Sequence, residues 1–336
     1  MDPTERDGAS DPAARSRGAD PTVREFAAER DELATRDLFV DMDLAEIGER
    51  VWSEDDLREL LHDHDVGAWV ALARGAPAGF VSLKRLFRAD LLRAELACAS
   101  ASRAVIDALL ERLEVEAERA GGASVTLWQL ERGLAAASLA DRGWRPVRLY
   151  ERMRLELGAP RAGVAAAEHG APDEAAAGPA VDVRTAQGEP ERRLAHELIE
   201  GALAGHWQHR RRGFEQFFAE EARSPGHDET LWYLARVGGE PAGALIAEAT
   251  GERAQITWLG VLERQRRRGV AARLLAVALD ELERRGVRLA EVTVDTENAT
   301  RAGRVYERAG MSSWFHARQW QLQLGGSVRA REYGAR

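Results

Sequence analysis

The spacing of hydrophobic positions predicts both helices and strands in the second half of the chain. In one segment, apolar residues recur every three or four positions, at Val270, Leu274, Leu275, Ala278, Leu279 and Leu282. This is the spacing of a helix with one buried face. The segment RLAEVTVD (288–295) instead alternates apolar and polar residues, as a half-buried strand does. Gly286 lies between the two segments and is a typical helix stop.

Other sequence patterns predict the remaining strands and helices of the second half of the chain. VDVRTA (181–186) predicts a first strand, and residues 190–223 have a helical pattern. The other predicted elements are a hairpin at 230–249, the strand AQITWLGVL at 254–262, a short helix at 299–310 and a last strand at 314–324. We therefore expect a mixed fold of helices around a central sheet.

Similar blocks occur twice along the chain. WVALARGAPAGFVSL (69–83) is similar to WYLARVGGEPAGALIAE (232–248), and ERAGGASVTL (118–127) is similar to ERRGVRLAEVTV (283–294). The blocks keep their order at an offset of about 165 positions, which indicates a duplication. We predict an α/β (α+β) fold with two similar domains, each a mixed, mostly antiparallel central sheet flanked by helices.

Composition sets the expected domain limits. Residues 1–20 are polar and charged and predict a disordered leader. Residues 158–180 are rich in Ala, Gly and Pro and predict a linker. The two domains are then expected at residues 21–157 and 181–326, with a tail at 327–336.

Charge and cysteine content narrow the possible functions. The 336 residues carry a net charge of −9, which argues against a nucleic-acid partner because phosphate binding needs a broad basic face. The sequence has no run of ~20 apolar residues and no apolar signal segment, so we expect no membrane partner and a cytoplasmic location. Cys98 is the single cysteine, which excludes an internal disulfide and a cysteine-built metal site. No metal is expected, and the oligomeric state is left open.

One basic stretch is unusual in this acidic chain, LGVLERQRRRGVAARLL at 259–275. It spans the predicted turn between the strand at 254–262 and a helix that begins near Gly269. Unpaired N–H groups at a helix start, together with a glycine and arginines, suit a pyrophosphate. The alternative is a solvated basic turn that only caps the helix, and spacing alone does not choose between the two.

The same stretch resembles a known family. RRRGVA (266–271) fits the R/Q-x-x-G-x-G/A signature of the GNAT N-acetyltransferases, between a strand that ends in LGV and an amphipathic helix. VTVDTENATRAGRVYERAGM (292–311) is similar to the strand, asparagine-containing turn and xYExxGF/M helix of that family. With its duplicated halves, the chain resembles actinobacterial tandem GNAT proteins, a group that includes mycothiol synthase.

The resemblance implies acetyl-CoA as cosubstrate and assigns residues to it. The pyrophosphate would lie against Arg266, Arg267, Arg268, Gly269, Val270 and Ala271. The pantetheine arm would pair with the backbone of Leu259 and Val261, the Val261 N–H would stabilise the oxyanion, and Asn298 would hydrogen-bond the cofactor. Tyr306 would protonate the departing thiolate, as a phenol with a pKa of about 10 can. The alternative for Tyr306 is a packed helix aromatic.

The general base departs from the family pattern. Many members place a Glu or Asp on the strand before the pyrophosphate loop, where this chain has Gln255 and Trp258. Neither side chain can accept a proton as a base. Glu248, on the preceding strand, is the nearest substitute. The other candidates are Glu252, His206, His209 and a water relay.

The first half lacks these residues. ASRAVI (101–106) occupies the position of the pyrophosphate loop without a glycine, and the counterparts of Asn298 and Tyr306 lie near Glu131 and Ala140. We expect a non-catalytic first domain in which Cys98 is a buried residue.

Two functions follow from these observations. The favoured one is an acetyl-CoA-dependent N-acetyltransferase, an acyltransferase of the EC 2.3.1 type, in which the amine of a small-molecule acceptor attacks the thioester directly in a ternary complex. The alternative is a catalytically impaired pseudoenzyme that binds CoA as a regulator or scaffold. A small metabolite such as a mycothiol precursor, an aminoglycoside-like antibiotic and a protein N-terminus all stay open as acceptors.

Overall fold

The computed structural model describes residues 20–86, 90–98, 102–131, 133–158, 180–207, 209–297 and 302–325. The predicted tail, almost all of the predicted leader and linker, and Asn298 lie outside these ranges. Within them, twelve strands and eight α-helices follow one order twice: strand, two helices, three strands, helix, strand, helix, strand. The predicted α/β class with two similar halves is confirmed.

The first repeat contains β1 (Thr22–Glu25), α1 (Ala28–Glu46), α2 (Glu54–His62), β2 (Gly67–Ala73), β3 (Ala76–Arg85), β4 (Leu91–Cys98), α3 (Arg103–Arg119), β5 (Ser124–Leu130), α4 (Ala136–Asp141) and β6 (Arg145–Glu156). The second contains β7 (Val181–Thr185), α5 (Gly188–Leu203), α6 (Phe214–Glu221), β8 (Trp232–Val237), β9 (Glu240–Thr250), β10 (Arg253–Val261), α7 (Val270–Arg284), β11 (Leu289–Asp295), α8 (Gly303–Arg308) and β12 (Ser312–Gln323). Short 3₁₀ turns precede β8 and α7, at Glu229–Leu231 and Glu263–Gln265.

The repeats do not coincide with the two compact units of the structure. One unit contains the described residues up to Val147 and from Gln319 onward, and the other is Arg148–Arg318. In the first unit the strand order is β1-β2-β3-β4-β5, followed by the part of β12 from Gln319 onward, and in the second unit it is β6-β11-β10-β9-β8-β7. β6 of the first repeat thus pairs with β11 of the second repeat, and the end of β12 lies beside β5 of the first repeat. The domain limits expected from composition, at residues 157 and 326, stay a prediction.

Within the second unit, β6 runs antiparallel to β11 over its whole length, with Glu156 opposite Leu289 and Tyr150 opposite Asp295. Strands β7 to β10 are joined by antiparallel pairing, whereas β10 and β11 are parallel. The sheet is thus mixed and mostly antiparallel, as predicted.

Both faces of this sheet are covered by helices. On one face, Leu274, Leu275 and Leu279 of α7 are buried against the strands. On the other face, Ile199 of α5 and Phe217 of α6 are buried in a separate apolar cluster. Full burial of a side chain of this size contributes about 1.5–3 kcal/mol, so the two clusters fix both helical layers on the strands that carry the site.

The helical pattern at 190–223 is wrong in one respect, because α5 ends at Leu203 and α6 begins only at Phe214. The intervening segment turns back onto α5, where Nε2 of His209 lies 2.9 Å from Oε2 of Glu200. Glu200 is fully buried, so this contact holds the segment against α5. A pattern of apolar residues does not show such a tertiary contact.

In the first unit, α3 packs its leucines on the sheet, and Trp144 lies buried in the same cluster. The end of β12 lies beside β5, where Nε2 of Gln321 donates to Oγ of Ser124 at 3.2 Å. Trp320 of β12 is buried in this cluster too. The first unit therefore has a core of its own, to which the last strand of the chain contributes.

Candidate functional site

The two parallel strands of the second unit separate at their carboxyl ends. β10 and β11 pair over Arg253–Ile256 and Leu289–Val292. A bulge follows directly in β10, which continues to Val261, while β11 continues to Asp295. The ends of both strands thus extend beyond their shared ladder and leave a gap between them. The carboxyl ends of parallel strands are the usual ligand-binding edge of such sheets.

Backbone donors of β10 face this gap. The N–H of Leu262 donates to the carbonyl oxygen of Ala242 in β9, at 3.0 Å. The N–H groups of successive residues point alternately to the two edges of a strand, so the N–H of Gly260, two residues before Leu262, also points towards β9. Leu259 and Val261 must then direct their N–H groups towards the gap. The structure places both predicted backbone donors where an extended ligand arm can pair with them.

The helix that follows begins in an open, exposed turn. Arg267 and Gly269 both have left-handed backbones, with φ values of 61° and 79°. Gly269 is the N-cap of α7, no side chain caps this terminus, and the first turn contains no acidic residue. The first N–H groups of the helix, those of Val270 and Ala271, therefore have no partner within the helix and attract an anion. Arg267 and Arg268 are exposed beside them.

Arg266 differs from the two arginines that follow it. Its side chain is half-buried; Nε donates to the carbonyl oxygen of Val261 at 3.3 Å and Nη2 to that of Ala202 at 3.4 Å. The guanidinium therefore ties the end of β10 to the end of α5. Its predicted contact with pyrophosphate stays a prediction, and its bracing role is one that the sequence did not show.

Tyr306 lies in α8 and is buried against the apolar cluster of the α7 face. Burial raises the pKa of its phenol, so the hydroxyl carries its proton at neutral pH. A protonated phenol is able to act as an acid, and the packing of the ring fits the alternative of a core aromatic equally well. Asn298, the other residue predicted from this part of the chain, lies outside the described residues.

The predicted base, Glu248, lies on β9 directly opposite Gln255 of β10 and is half-buried. Gln255 comes four residues before Leu259, which is about 13 Å along a strand at ~3.3 Å per residue. Glu252 lies farther still, in the turn before β10, where it forms an exposed ion pair with Arg288. The structure thus brings neither carboxylate directly beside the backbone donors of the gap.

A carboxylate that sequence reasoning missed contacts the side chain of the residue before Leu259. Glu221, the last residue of α6, accepts a hydrogen bond from Nε1 of Trp258, at 2.9 Å, and Trp258 directly precedes Leu259. The pKa of Glu221 is raised to about 7, mainly by burial and also by the nearby Glu248, while the Trp258 hydrogen bond opposes the rise. The available sequence signal was its position four residues after the buried Phe217, which puts both on one face of the helix.

Arg212 stabilises this corner of the site. Its guanidinium lies over the ring of Trp258, with 4.9 Å between its central carbon and the ring centroid. The same side chain lies 3.4 Å from Oε1 of Glu200 and 3.0 Å from Oε2 of Glu220. The Trp258 indole is consequently held between a fixed cation on its face and the Glu221 carboxylate at its edge.

The candidate histidines have different surroundings. His209 is bonded to Glu200, as described above. His206 is half-buried after the end of α5, and burial lowers its pKa while the nearby Asp295 raises it. The ring of His206 is therefore mainly neutral at pH 7 and able to accept a proton.

Comparison with known families identifies this arrangement. Residues 194–311, from within α5 to the residue before β12, match the sequence profile of the Acetyltransferase (GNAT) family. The chain contains a GNAT acetyltransferase domain. The gap, the start of α7, Tyr306 and Glu221 all lie within the matched residues. No curated protein sequence matches the chain.

Solved structures share the fold of the GNAT domain and of the rest of the chain. A GCN5-related N-acetyltransferase from Sphaerobacter thermophilus is 22% identical, with a TM-score of 0.75 over 92% of this chain and 98% of that one. A tandem GNAT protein from the clavulanic acid biosynthesis pathway is 17% identical, with a TM-score of 0.63 over 92% of this chain and 100% of that one. At these identities the likeness establishes the fold, and the predicted tandem GNAT-like architecture is confirmed.

The first unit has the corresponding strands, and one of its own side chains bridges them beyond their ladder. β4 and β5 pair over Leu91–Ala94 and Ser124–Leu127, as β10 and β11 do in the GNAT domain. Beyond this ladder, Nε2 of Gln129 donates to the carbonyl oxygen of Leu96 at 3.4 Å. By strand register the GNAT domain has Val294 at the position of Gln129, and valine has no donor to form such a bridge.

The start of α3 is also unlike that of α7. Arg103, its first residue, is paired with Asp107 and Asp141, so two carboxylates lie where the GNAT domain presents the exposed Arg267 and Arg268. Cys98 is buried, and burial raises the pKa of its thiol to about 12, which keeps it protonated. These contacts disfavour an anion at this position of the first unit.

In the described part of the chain, no helix is long and apolar enough to cross a membrane. Among the same residues, no cluster of three His, Cys, Asp or Glu side chains is arranged to hold a metal ion.

Proposed function

We propose that this protein transfers the acetyl group of acetyl-CoA to the amine of a small-molecule acceptor, and that its second unit performs the reaction. One observation carries the proposal: the β10 edge that faces the gap leads, within a few residues, to the uncapped start of α7. A strand edge suits the amide-containing pantetheine arm, and an uncapped helix start beside arginines suits a pyrophosphate. Few ligands combine an extended amide arm and a pyrophosphate in this order.

Acetyl-CoA supplies an activated acyl group when it is bound. Leu259 and Val261 hold the pantetheine arm through their N–H groups, and the Val261 N–H also stabilises the oxygen that gains negative charge. Arg267, Arg268 and the N–H groups at the start of α7 hold the pyrophosphate. Tyr306 donates its proton to the leaving sulfur, and Asn298 supports the cofactor. The amine attacks directly in a ternary complex, so no residue of the chain needs to carry the acetyl group.

A thermal shift with acetyl-CoA tests the cofactor site. The wild-type protein is expected to melt at a higher temperature in the presence of acetyl-CoA, since a ligand that binds only the folded state stabilises it. Gly269→Glu places a negative charge beside the pyrophosphate and is expected to abolish the shift. Gly269→Asn is the matched control, because asparagine tolerates the left-handed backbone without adding charge. The absence of a wild-type shift would refute the cofactor assignment.

Release of the CoA thiol over a panel of primary amines tests the transfer itself. Turnover with at least one amine, abolished in Tyr306→Phe, supports the proposed reaction and the role of the phenol. Binding of acetyl-CoA without turnover on any amine supports instead the alternative, a CoA-binding regulator or scaffold.

A further inference from the structure

We propose that Glu221 is the general base of this reaction and takes the proton from the acceptor ammonium before the amine attacks. The inference rests on the proposed function and deepens it, because it names a base that the β10 strand itself does not supply. It also places the acceptor on the α6 side of the gap.

The first argument is position. Trp258 is the residue before Leu259, and its indole N–H is bonded to Oε1 of Glu221. Glu221 is thereby fixed to the side chain of the residue that precedes the two backbone donors of β10. Glu248 is paired opposite Gln255 instead, four residues before Leu259.

The second argument is the free oxygen of the same carboxylate. The Trp258 indole occupies Oε1, and within the described ranges no side chain donates to Oε2 of Glu221. A carboxylate held by one oxygen and open at the other is oriented and still able to accept a proton. α6 holds the backbone of this residue, and Phe217, one turn earlier, is fully buried, so the helix is anchored.

The charges that face Glu221 come from every neighbouring element. They are Glu248 on β9, Arg212 before α6 and Glu220 on α6 itself, in addition to the indole of Trp258 on β10. Arg212 is already paired with Glu200 and Glu220, so its charge is shared among three carboxylates. Burial outweighs these neighbours and raises the pKa of Glu221 to about 7. A base is most effective when its pKa lies near the working pH.

The proton balance of the step is simple. A primary ammonium must lose two protons to become an amide nitrogen. Glu221 takes the first, which frees the lone pair that forms the nitrogen–carbon bond. As the carbon–sulfur bond breaks, the leaving sulfur takes a proton from the hydroxyl of Tyr306. The nitrogen then gives its second proton to the Tyr306 oxygen, which restores the phenol. The net result is one proton released to solvent through Glu221.

An assay without cofactor or substrate tests whether this carboxylate titrates. Tryptophan fluorescence of the wild-type protein between pH 5 and pH 9 is expected to show a transition with a midpoint near 7, because the charge beside the Trp258 indole changes. Trp258→Phe and Glu221→Gln are both expected to lose this transition. Glu215→Gln, an exposed position on the same helix, is expected to keep it. A transition that persists in Glu221→Gln would overturn the assignment.

Kinetics with the best amine of a panel containing benzylamine, tyramine and 1,4-diaminobutane test the role in turnover. For the wild type, kcat/KM is expected to rise with pH to a plateau above about 7. Glu221→Gln is expected to lose about 10²–10⁴-fold in kcat/KM together with this limb, and to keep the acetyl-CoA thermal shift. Glu215→Gln is expected to match the wild type.

Three outcomes separate the two proposals. Wild-type turnover whose pH limb survives in Glu221→Gln refutes the role of Glu221 and leaves acetyl transfer standing. If the rise of kcat/KM with pH disappears in His206→Asn but remains in Glu221→Gln, the base is His206 and the proposed role of Glu221 is refuted. Absence of turnover on every amine refutes acetyl transfer, and the base assignment with it.

Discussion

Glu221→Gln is expected to make the folded protein more stable at pH 8 while it lowers activity. The substitution keeps the shape of the side chain and an oxygen that the Trp258 N–H can bond to. It removes the negative charge that the buried position disfavours. A residue that costs stability and supports chemistry is typical of active sites.

The magnitude follows from the pKa of this carboxyl. Its ordinary value is 4.5, and the folded protein raises it to about 7. A carboxyl whose pKa is raised by folding is bound to its proton more tightly in the folded state. Its contribution to stability is therefore present below pH ~4.5 and is lost as the pH rises towards ~7. At about 1.4 kcal/mol for each pKa unit, the loss above pH 7 is about 3 kcal/mol.

The assay is urea unfolding of wild type and Glu221→Gln at several pH values from 4.5 to 8, followed by tryptophan fluorescence. The difference in the free energy of unfolding is expected to be near zero at the acid end. It should grow to about 3 kcal/mol in favour of Gln above pH 7. The pH-dependent contributions of the other carboxylates to the free energy of unfolding cancel in this difference, because both proteins carry those carboxylates. A difference that does not change with pH, or one that favours the wild type at pH 8, would refute the reasoning.

Three further predictions concern packing, the buried ion pair and stoichiometry. Gly260→Ala is expected to lower the free energy of unfolding by about 1–3 kcal/mol, because the new Cβ would lie 2.9 Å from Cβ of Ala202; Gly205→Ala, with no neighbour within 4 Å, is the control in urea unfolding. Glu200→Gln is expected to cost about 3 kcal/mol or more in the same assay, since it leaves the largely buried Arg212 guanidinium without this carboxylate; a cost below 1 kcal/mol would contradict the role of Glu200 in holding the segment between α5 and α6. Calorimetric titration is expected to give one acetyl-CoA bound per chain, and two would show that the first unit also binds it.

The fold class was accessible from the sequence because its determinants are local. The apolar spacing of α7, the alternation in β11 and the glycine between them each act within a few residues. The duplication was visible because both copies kept these local patterns at one offset. The interruption between α5 and α6 was not visible, since it depends on Glu200 contacting residues that lie nine to twelve positions later.

The residues of the candidate site also fall into a group that is local in the chain and a group that only the tertiary structure brings together. The backbone donors of β10 and the start of α7 are consecutive in the chain, so one motif contained them. Glu221 and Trp258 are 37 residues apart, and no pattern in either segment points to the other. The pKa of Glu221 depends on burial by several elements, and burial is not a property of any short segment.

The sequence by itself therefore determined the elements, their repetition and the turn between β10 and α7, because hydrophobic periodicity and turn residues act through neighbouring positions. The tertiary structure decided three other matters: which strands β6 and β12 lie beside, which carboxylate contacts Trp258, and which side chain bridges β4 and β5. Each of these depends on contacts between residues far apart in the chain. Such contacts form only when the sheets assemble, and there strand pairing and the exclusion of water fix both geometry and charge.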